Sequence, residues 1–349
     1  MHTLKKTTAV LTALLIFTLS FAFALTANAG TSLKTPCSLQ DGLDALRAQF
    51  ERDAVGQMDY NYFVPCNEKK DDHKYPLVVI CCGVGEGYEE DQPINRHAFV
   101  NWSSIELQRR FTDGGGYGML PRSPQDNGIF WYPSTVPMLK ACLDDFVKKH
   151  NVDTTRIYIA GFSIGARMVY QMVDAYPDYF AAAVIMSPYT NASAAETKVL
   201  GNLPVWFQGS SQDLIVNYGA TYKGVFDDII KNQKDPAHCR FTTFTYTVDP
   251  DGKKIWNNHE TWHAFSCDMF YKNDKTGEWD QPWPYTSTVD GNGRSVEVSY
   301  PNGMISWLNT CEKEDANSSQ TNRATTSFLA KMLSFFRRII QRIAGLFRR

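Results

Sequence analysis

Gly161-Phe162-Ser163-Ile164-Gly165 is the segment whose residue types and spacing are suited to chemistry. A β-branched, apolar run, Arg156-Ile157-Tyr158-Ile159-Ala160, precedes it, and residues at helical spacing (Ala166, Met168, Val169, Met172) follow. Strand, Gly-x-Ser-x-Gly and helix in that order predict a nucleophile elbow. The glycines permit a tight turn and close approach of helix to strand. The serine is pushed to the tip, at the positive end of the helix, where its hydroxyl can attack an acyl carbon.

Such a serine needs a base to take its proton and an acid to hold that base in the right tautomer, in the chain order Ser, Asp or Glu, His. Asp213 follows the strand-like run Pro204 to Phe207, which closes at Gln208-Gly209-Ser210, and Leu214-Ile215-Val216 after it is expected to shield the carboxylate from water. Asp227 and Asp228, within a helical stretch, are weaker candidates. Of the seven histidines, His73, His97 and His150 precede the elbow and His2 belongs to the leader. His259 comes after the next strand and a turn, where the base belongs, whereas His238 precedes that strand and His263 reads as a helix-face residue. Backbone N–H groups of Ile164, after the nucleophile, and of Val84, in the loop Gly83-Val84-Gly85-Glu86-Gly87, are the expected oxyanion donors. That loop lacks a following Lys-Ser/Thr, which argues against a phosphate cradle.

The elements that must position these groups alternate between strand and helix. Leu77 to Cys82 reads as a strand buried on both faces, Pro137 to Lys149 as a helix, and Phe180 to Met186 and Phe241 to Val248 as further strands. The alternation predicts a mostly parallel sheet flanked by helices, with the site beyond the carboxyl ends of the strands. Asp268 to Asn302, with its turn residues and Trp279, Trp283 and Tyr285, reads as an inserted hairpin before the last helix, Gly303 to Leu308. Cys81 and Cys82 must point to opposite faces of their strand.

Lys5, Lys6, an apolar run to Leu25 and Ala27-Asn28-Ala29 predict a secretory signal peptide over residues 1–29. Residues 30–315 suit one catalytic domain, residues 316–327 a polar linker, and residues 328–349 a basic amphipathic helix with six basic residues opposite its apolar face. With the leader and the tail set aside, the body carries 27 basic against 37 acidic residues, which argues against nucleic acid as a partner. The tail instead predicts contact with an anionic membrane or envelope surface. All eight cysteines follow the leader, so disulfides are permitted, and a Cys239–Cys267 bridge would brace the histidine loop. Metal-ligand spacing of cysteine and histidine is missing, and neither metal nor cofactor is implied.

Taken together these segments resemble the secreted esterase branch of the α/β-hydrolases, the polyhydroxybutyrate-depolymerase-like and feruloyl-esterase-like proteins, whose relatives often carry the label of prolyl-oligopeptidase-type peptidases. Tyr60 to Pro65, Tyr75-Pro76-Leu77, Asp153 to Tyr158, Tyr176 to Ala182, Pro204-Val205-Trp206, His259-Glu260-Thr261-Trp262 and Trp307-Leu308 carry the likeness. Two departures stand out: Cys82 occupies the place of the usual histidine of the oxyanion loop, and Gln208 that of a histidine before Gly209. The resemblance implies an α/β-hydrolase fold and a secreted serine hydrolase of carboxylic esters, with acyl or feruloyl esters of polysaccharides as the substrate class. Trp256, Trp279, Trp283 and Tyr285 are candidates for stacking on such groups. The alternatives are a serine peptidase and a non-catalytic surface-binding protein with a vestigial elbow.

Overall fold

The computed structural model describes residues 36–68, 72–84, 98–124, 131–273 and 275–313, all within the unit Pro36–Arg349. The leader 1–29, Gly85 and Gly87, His97, the linker 316–327 and the tail 328–349 lie outside the described residues.

The strands are β1 (Glu51–Val55), β2 (Met58–Phe63), β3 (Tyr75–Cys81), β4 (Tyr117–Pro121), β5 (Val152–Phe162), β6 (Ala182–Met186), β7 (Val205–Ser210), β8 (Arg240–Phe244), β9 (Phe270–Lys272), β10 (Trp279–Pro282) and β11 (Thr286–Asp290). The helices used below are α1 (Val136–Lys149), α2 (Ile164–Ala175), α3 (Ala194–Leu200), α4 (Gly224–Ile230), α5 (Trp262–Ser266) and α6 (Met304–Leu308). One sheet runs in the order β1-β2-β4-β3-β5-β6-β7-β8-β11. Its middle, from β4 to β8, is parallel, and β1, β2 and β11 pair antiparallel at its edges.

Central strands with apolar residues at every position are what a sheet covered on both faces requires. Alternate residues split between two apolar clusters: Leu77, Val79, Ile157, Ile159, Ile185 and Phe207 join α1, α2 and α4 on one face. Val78, Ile80, Tyr158, Val184 and Trp206 join α5 and α6 on the other. Cys81 lies in the first cluster and Cys82 in the second, as the strand's period of two demands.

Three expectations need correction. The strand read as Phe241 to Val248 ends at Phe244: the chain bends at Thr245 and Tyr246, and the following residues pair locally instead, Thr247 O accepting from Ile255 N–H (2.9 Å) and Val248 bridging to Lys254. The segment Asp268 to Asn302 does contain a hairpin, β9 with β10, but its second half, β11, is the edge strand of the main sheet, in register from Thr286↔Phe244 to Asp290↔Arg240. A buried hydroxyl chain from Trp206 Nε1 to Thr242 (2.9 Å) and on to Thr288 (2.9 Å) ties that edge to the core. The Cys239–Cys267 bridge is not formed; both are free thiols, and Cys267 Sγ instead accepts from Asn101 Nδ2 at 3.4 Å. No helix among the described residues is long and apolar enough to cross a membrane.

Ion pairs at the β2 side give the fold an acid-sensitive component. Burial pushes the Asp59 carboxyl up, but hydrogen bonds from Arg122 (2.7 Å to Oδ1) and Arg52 outweigh it and hold the group below the ordinary carboxylate range. The unfolded chain therefore takes up that proton first as pH falls. The resulting stability is complete above about pH 4 and is lost as pH drops through the lowered folded value. Arg122→Leu is expected to lower Tm at pH 7, with the gap to the parent protein closing below about pH 3. An equal gap at both pH values, measured by differential scanning fluorimetry, would contradict this account.

Candidate active site

β5 ends at Phe162 and α2 starts at Ile164, leaving Ser163 alone at the turn with φ 53° and ψ −121°. A positive φ on a residue with a Cβ is strained and persists only where the surroundings impose it. Here Ser163 N–H donates to Met186 O (3.0 Å), while Ser163 O accepts from Ala166 N–H (3.2 Å) and Tyr189 N–H (3.1 Å). The two glycines are needed for separation, not flexibility. A Cβ on Gly161 would lie 2.5 Å from Gly165 O, and one on Gly165 would lie 2.0 Å from Cys81 O.

The structure brings together the three residues that chain order singled out. His259 Nε2 is 3.1 Å from Ser163 Oγ, and His259 Nδ1 is 2.7 Å from Asp213 Oδ2. The aspartate side chain is fully buried and that of the histidine 8% exposed. With the Nδ1 proton on the aspartate, Nε2 presents its lone pair to the serine hydroxyl, the tautomer a general base requires. Asp213 Oδ1 accepts from the N–H groups of Ile215 (2.7 Å) and Val216 (2.9 Å). The expected shielding by side chains is corrected: Val216 is buried but Leu214 and Ile215 face solvent, and the backbone N–H groups of Ile215 and Val216, with Tyr222, enclose the carboxylate.

The histidine segment is anchored by Asn257, whose side-chain oxygen accepts from His259 N–H (3.0 Å) and whose carbonyl accepts from Leu214 N–H (2.9 Å). Acid loop and base loop are thus tied directly to each other. Trp262, in α5, stacks on Phe162 (4.4 Å between centroids) and meets the His259 ring edge-on at 5.6 Å, which limits the ring's rotation. The rejected candidates sit elsewhere: His263 pairs with Glu260 (3.0 Å), His238 meets Thr310 (2.8 Å), and Asp228 pairs with Lys231 (2.6 Å).

Ile164 opens α2, so its N–H is among those without an intrahelical partner and lies beside the nucleophile. Val84 follows Gly83, and a Cβ on Gly83 would be 3.5 Å from Ser163 Cβ, so the chain at Gly83 also passes next to the serine. Cys82 points its side chain into the apolar cluster, and its carbonyl accepts from Trp131 Nε1 at 2.9 Å. Replacing a histidine there leaves the backbone path tethered. Gln208, the other departure, is fully buried and bonds Met269 Sδ at 3.1 Å.

One residue of this cluster was not anticipated. Tyr222, fully buried in the π-helical turn Tyr218–Lys223, donates its hydroxyl to Asp213 Oδ2 and stands 3.4 Å from His259 Nδ1. The signal in the sequence was Gly209: a Cβ there would be 2.3 Å from Tyr222 Cδ2, so the strand-end glycine makes room for the ring.

A largely parallel sheet with a strained serine between β5 and α2, and an acid and a histidine delivered from later strand ends, is the architecture of the α/β-hydrolases, and the chain has the α/β-hydrolase fold. The profile of the prolyl oligopeptidase family matches residues 134–220, the stretch that carries the elbow and Asp213. A bifunctional acetylxylan esterase/xylanase of Neocallimastix patriciarum is 27% identical over 257 residues, covering 69% of this chain and 35% of that protein. Among solved structures, a thermostable esterase superposes with a TM-score of 0.52 at 20% identity, over 63% of this chain and 60% of that one. A ferulic acid esterase of Anaeromyces mucronatus gives 0.42 at 14% identity, over 52% and 78%. The chain thus spans about a third of the curated relative and less than two thirds of the thermostable esterase.

Proposed function

We propose that the protein is a secreted serine hydrolase of carboxylic esters, acting on acyl groups carried by polysaccharide. The observation that carries the reading is the continuous Asp213–His259–Ser163 contact at the tip of the elbow. Ser163 Oγ attacks the ester carbonyl carbon as its proton passes to His259 Nε2, and the N–H groups of Ile164 and Val84 hold the resulting oxyanion. The carbon–oxygen bond to the alcohol breaks, the alcohol leaves with the proton from Nε2, and the acyl group stays on Ser163. Water then repeats the sequence, giving its proton to Nε2 and releasing the carboxylic acid as Ser163 regains its hydrogen.

Two observations support a carbohydrate-borne ester. The matched relative is named an acetylxylan esterase/xylanase. Exposed aromatics are linked to the site residues by a hydrogen bond or by sequence: Tyr189, whose N–H is bonded to Ser163 O, is 52% exposed, and Trp256, three residues before His259, is 77% exposed. Trp283, by contrast, packs edge-on against Tyr271 inside the insertion and is unsuited to stacking on a substrate. The peptidase reading draws on the family match, which stops before His259.

Purified protein is expected to hydrolyse p-nitrophenyl acetate and acetylated xylan but not peptide p-nitroanilides. Amide turnover exceeding ester turnover would favour the peptidase. Trp256→Ala should lower kcat/KM on acetylated xylan about tenfold through KM, with p-nitrophenyl acetate changed less than about twofold. Equal loss on both substrates would remove Trp256 from polysaccharide binding.

A further inference from the structure

We infer that Tyr222 is a positioning residue of the site, a permanent hydrogen-bond donor that fixes the Asp213 carboxylate and tempers its pull on the His259 proton. The inference rests on the assignment of Ser163, His259 and Asp213 proposed above. Four donors surround this carboxylate: Ile215 and Val216 N–H on Oδ1, and His259 Nδ1 and the Tyr222 hydroxyl on Oδ2. A carboxylate offers about four lone-pair sites, so the set is complete and its plane is fixed. With Oδ2 held from one side by Tyr222, the imidazole on the other side is aimed at Ser163.

The arrangement is built rather than incidental. The ring packs against Phe207 and Tyr218, contacts that phenylalanine would make equally well; the hydroxyl adds the bond to the acid, with Ser187 and His259 Nδ1 also beside it. Gly209 opens the space for that ring, and the π-helical turn, a rare geometry that is frequent at functional sites, carries Tyr222 to the acid. Burial, followed by the Asp213 charge, pushes the phenol far above its ordinary pKa, so it stays a donor at every working pH.

The ionisable groups around it define what a pH profile will report. Asp213 and His259 face the hydroxyl directly, and Tyr170, fully buried in α2, faces it from the helix. Arg167 with Glu196 (2.8 Å) and His263 with Glu260 (3.0 Å) are compensated pairs beyond them. Tyr218, on the same turn, bonds Thr243 at 2.7 Å, and Lys223 pairs with Asp227.

A donor on Oδ2 disperses the negative charge that would otherwise stabilise the imidazolium. Removing it should make His259 more basic and leave the ring less well aimed. For Tyr222→Phe, kcat/KM on p-nitrophenyl acetate is expected to fall about tenfold at the optimum, and the acidic limb of its pH profile to move up by about half a unit. An unmoved limb, with or without loss of rate, would overturn the inference. Should the variant not fold, the parent protein made with 3-fluorotyrosine supplies the test. Its more acidic phenol donates more strongly, so the limb should move down, and an unmoved limb again overturns the idea. A parent protein that neither turns over esters nor reacts with a fluorophosphonate at Ser163 would remove the underlying assignment as well; an active parent with an unmoved limb removes Tyr222 alone.

Discussion

Ser163→Ala is expected to lower ester turnover by at least about a thousandfold while leaving the fold intact, because the oxyanion donors and binding surface survive but the attacking atom is gone. The lost hydroxyl meets His259 at 3.1 Å, its one side-chain hydrogen-bond partner among the described residues, so its removal disturbs little beyond that contact. Initial rates on p-nitrophenyl acetate, with circular dichroism as the check on folding, measure the effect. A folded Ser163→Ala protein retaining more than about a tenth of parental turnover would place the nucleophile elsewhere.

Gly165→Ala should have the largest effect on stability. Its new Cβ would stand 2.0 Å from Cys81 O, 2.5 Å from Cys82 O and 2.6 Å from Cys81 C. All three atoms are backbone at the end of β3, which pairs with β4 on one side and β5 on the other and cannot yield without breaking the sheet. The helix α2 must retreat instead, taking the Ser163 turn with it. Overpacking against backbone at such a site is expected to destabilise by about 3 kcal/mol or more, seen as a large drop in Tm or loss of soluble protein. A Tm within about 2 °C of the parent would show that helix and strand can part without consequence.

Much of this site is legible before any tertiary information because its parts are local. A β-branched run, two glycines around a serine and a helical period specify an elbow within some twenty residues, and chain order then ranks Asp213 and His259 above Asp227, His238 and His263. The same local logic places Cys81 and Cys82 on opposite faces of β3. It fails where a residue's partner lies outside its own segment. Phe241 to Val248 is uniformly β-prone, yet the strand stops at Phe244 because Thr247 and Val248 pair with Ile255 and Lys254 rather than with the sheet. β11 is hidden in a segment that reads as an insertion because the strand it pairs with lies over forty residues earlier. Leu214 and Ile215 look like a hydrophobic cover but face water, since backbone amides and a tyrosine already occupy the space around Asp213.

Ser163 at a strained strand-to-helix turn follows from preferences that act over a few neighbouring residues: glycine's lack of a Cβ, the period of the apolar positions and the handedness of the backbone. Asp213 and His259 are 46 positions apart, and His259 and Ser163 are 96. No local preference reaches across such spans. Their meeting, and the presence of Tyr222 on the far side of the acid, depend on the order of β5, β6, β7 and β8 in the sheet and on burial of both its faces, which set strand ends side by side whatever their separation along the chain.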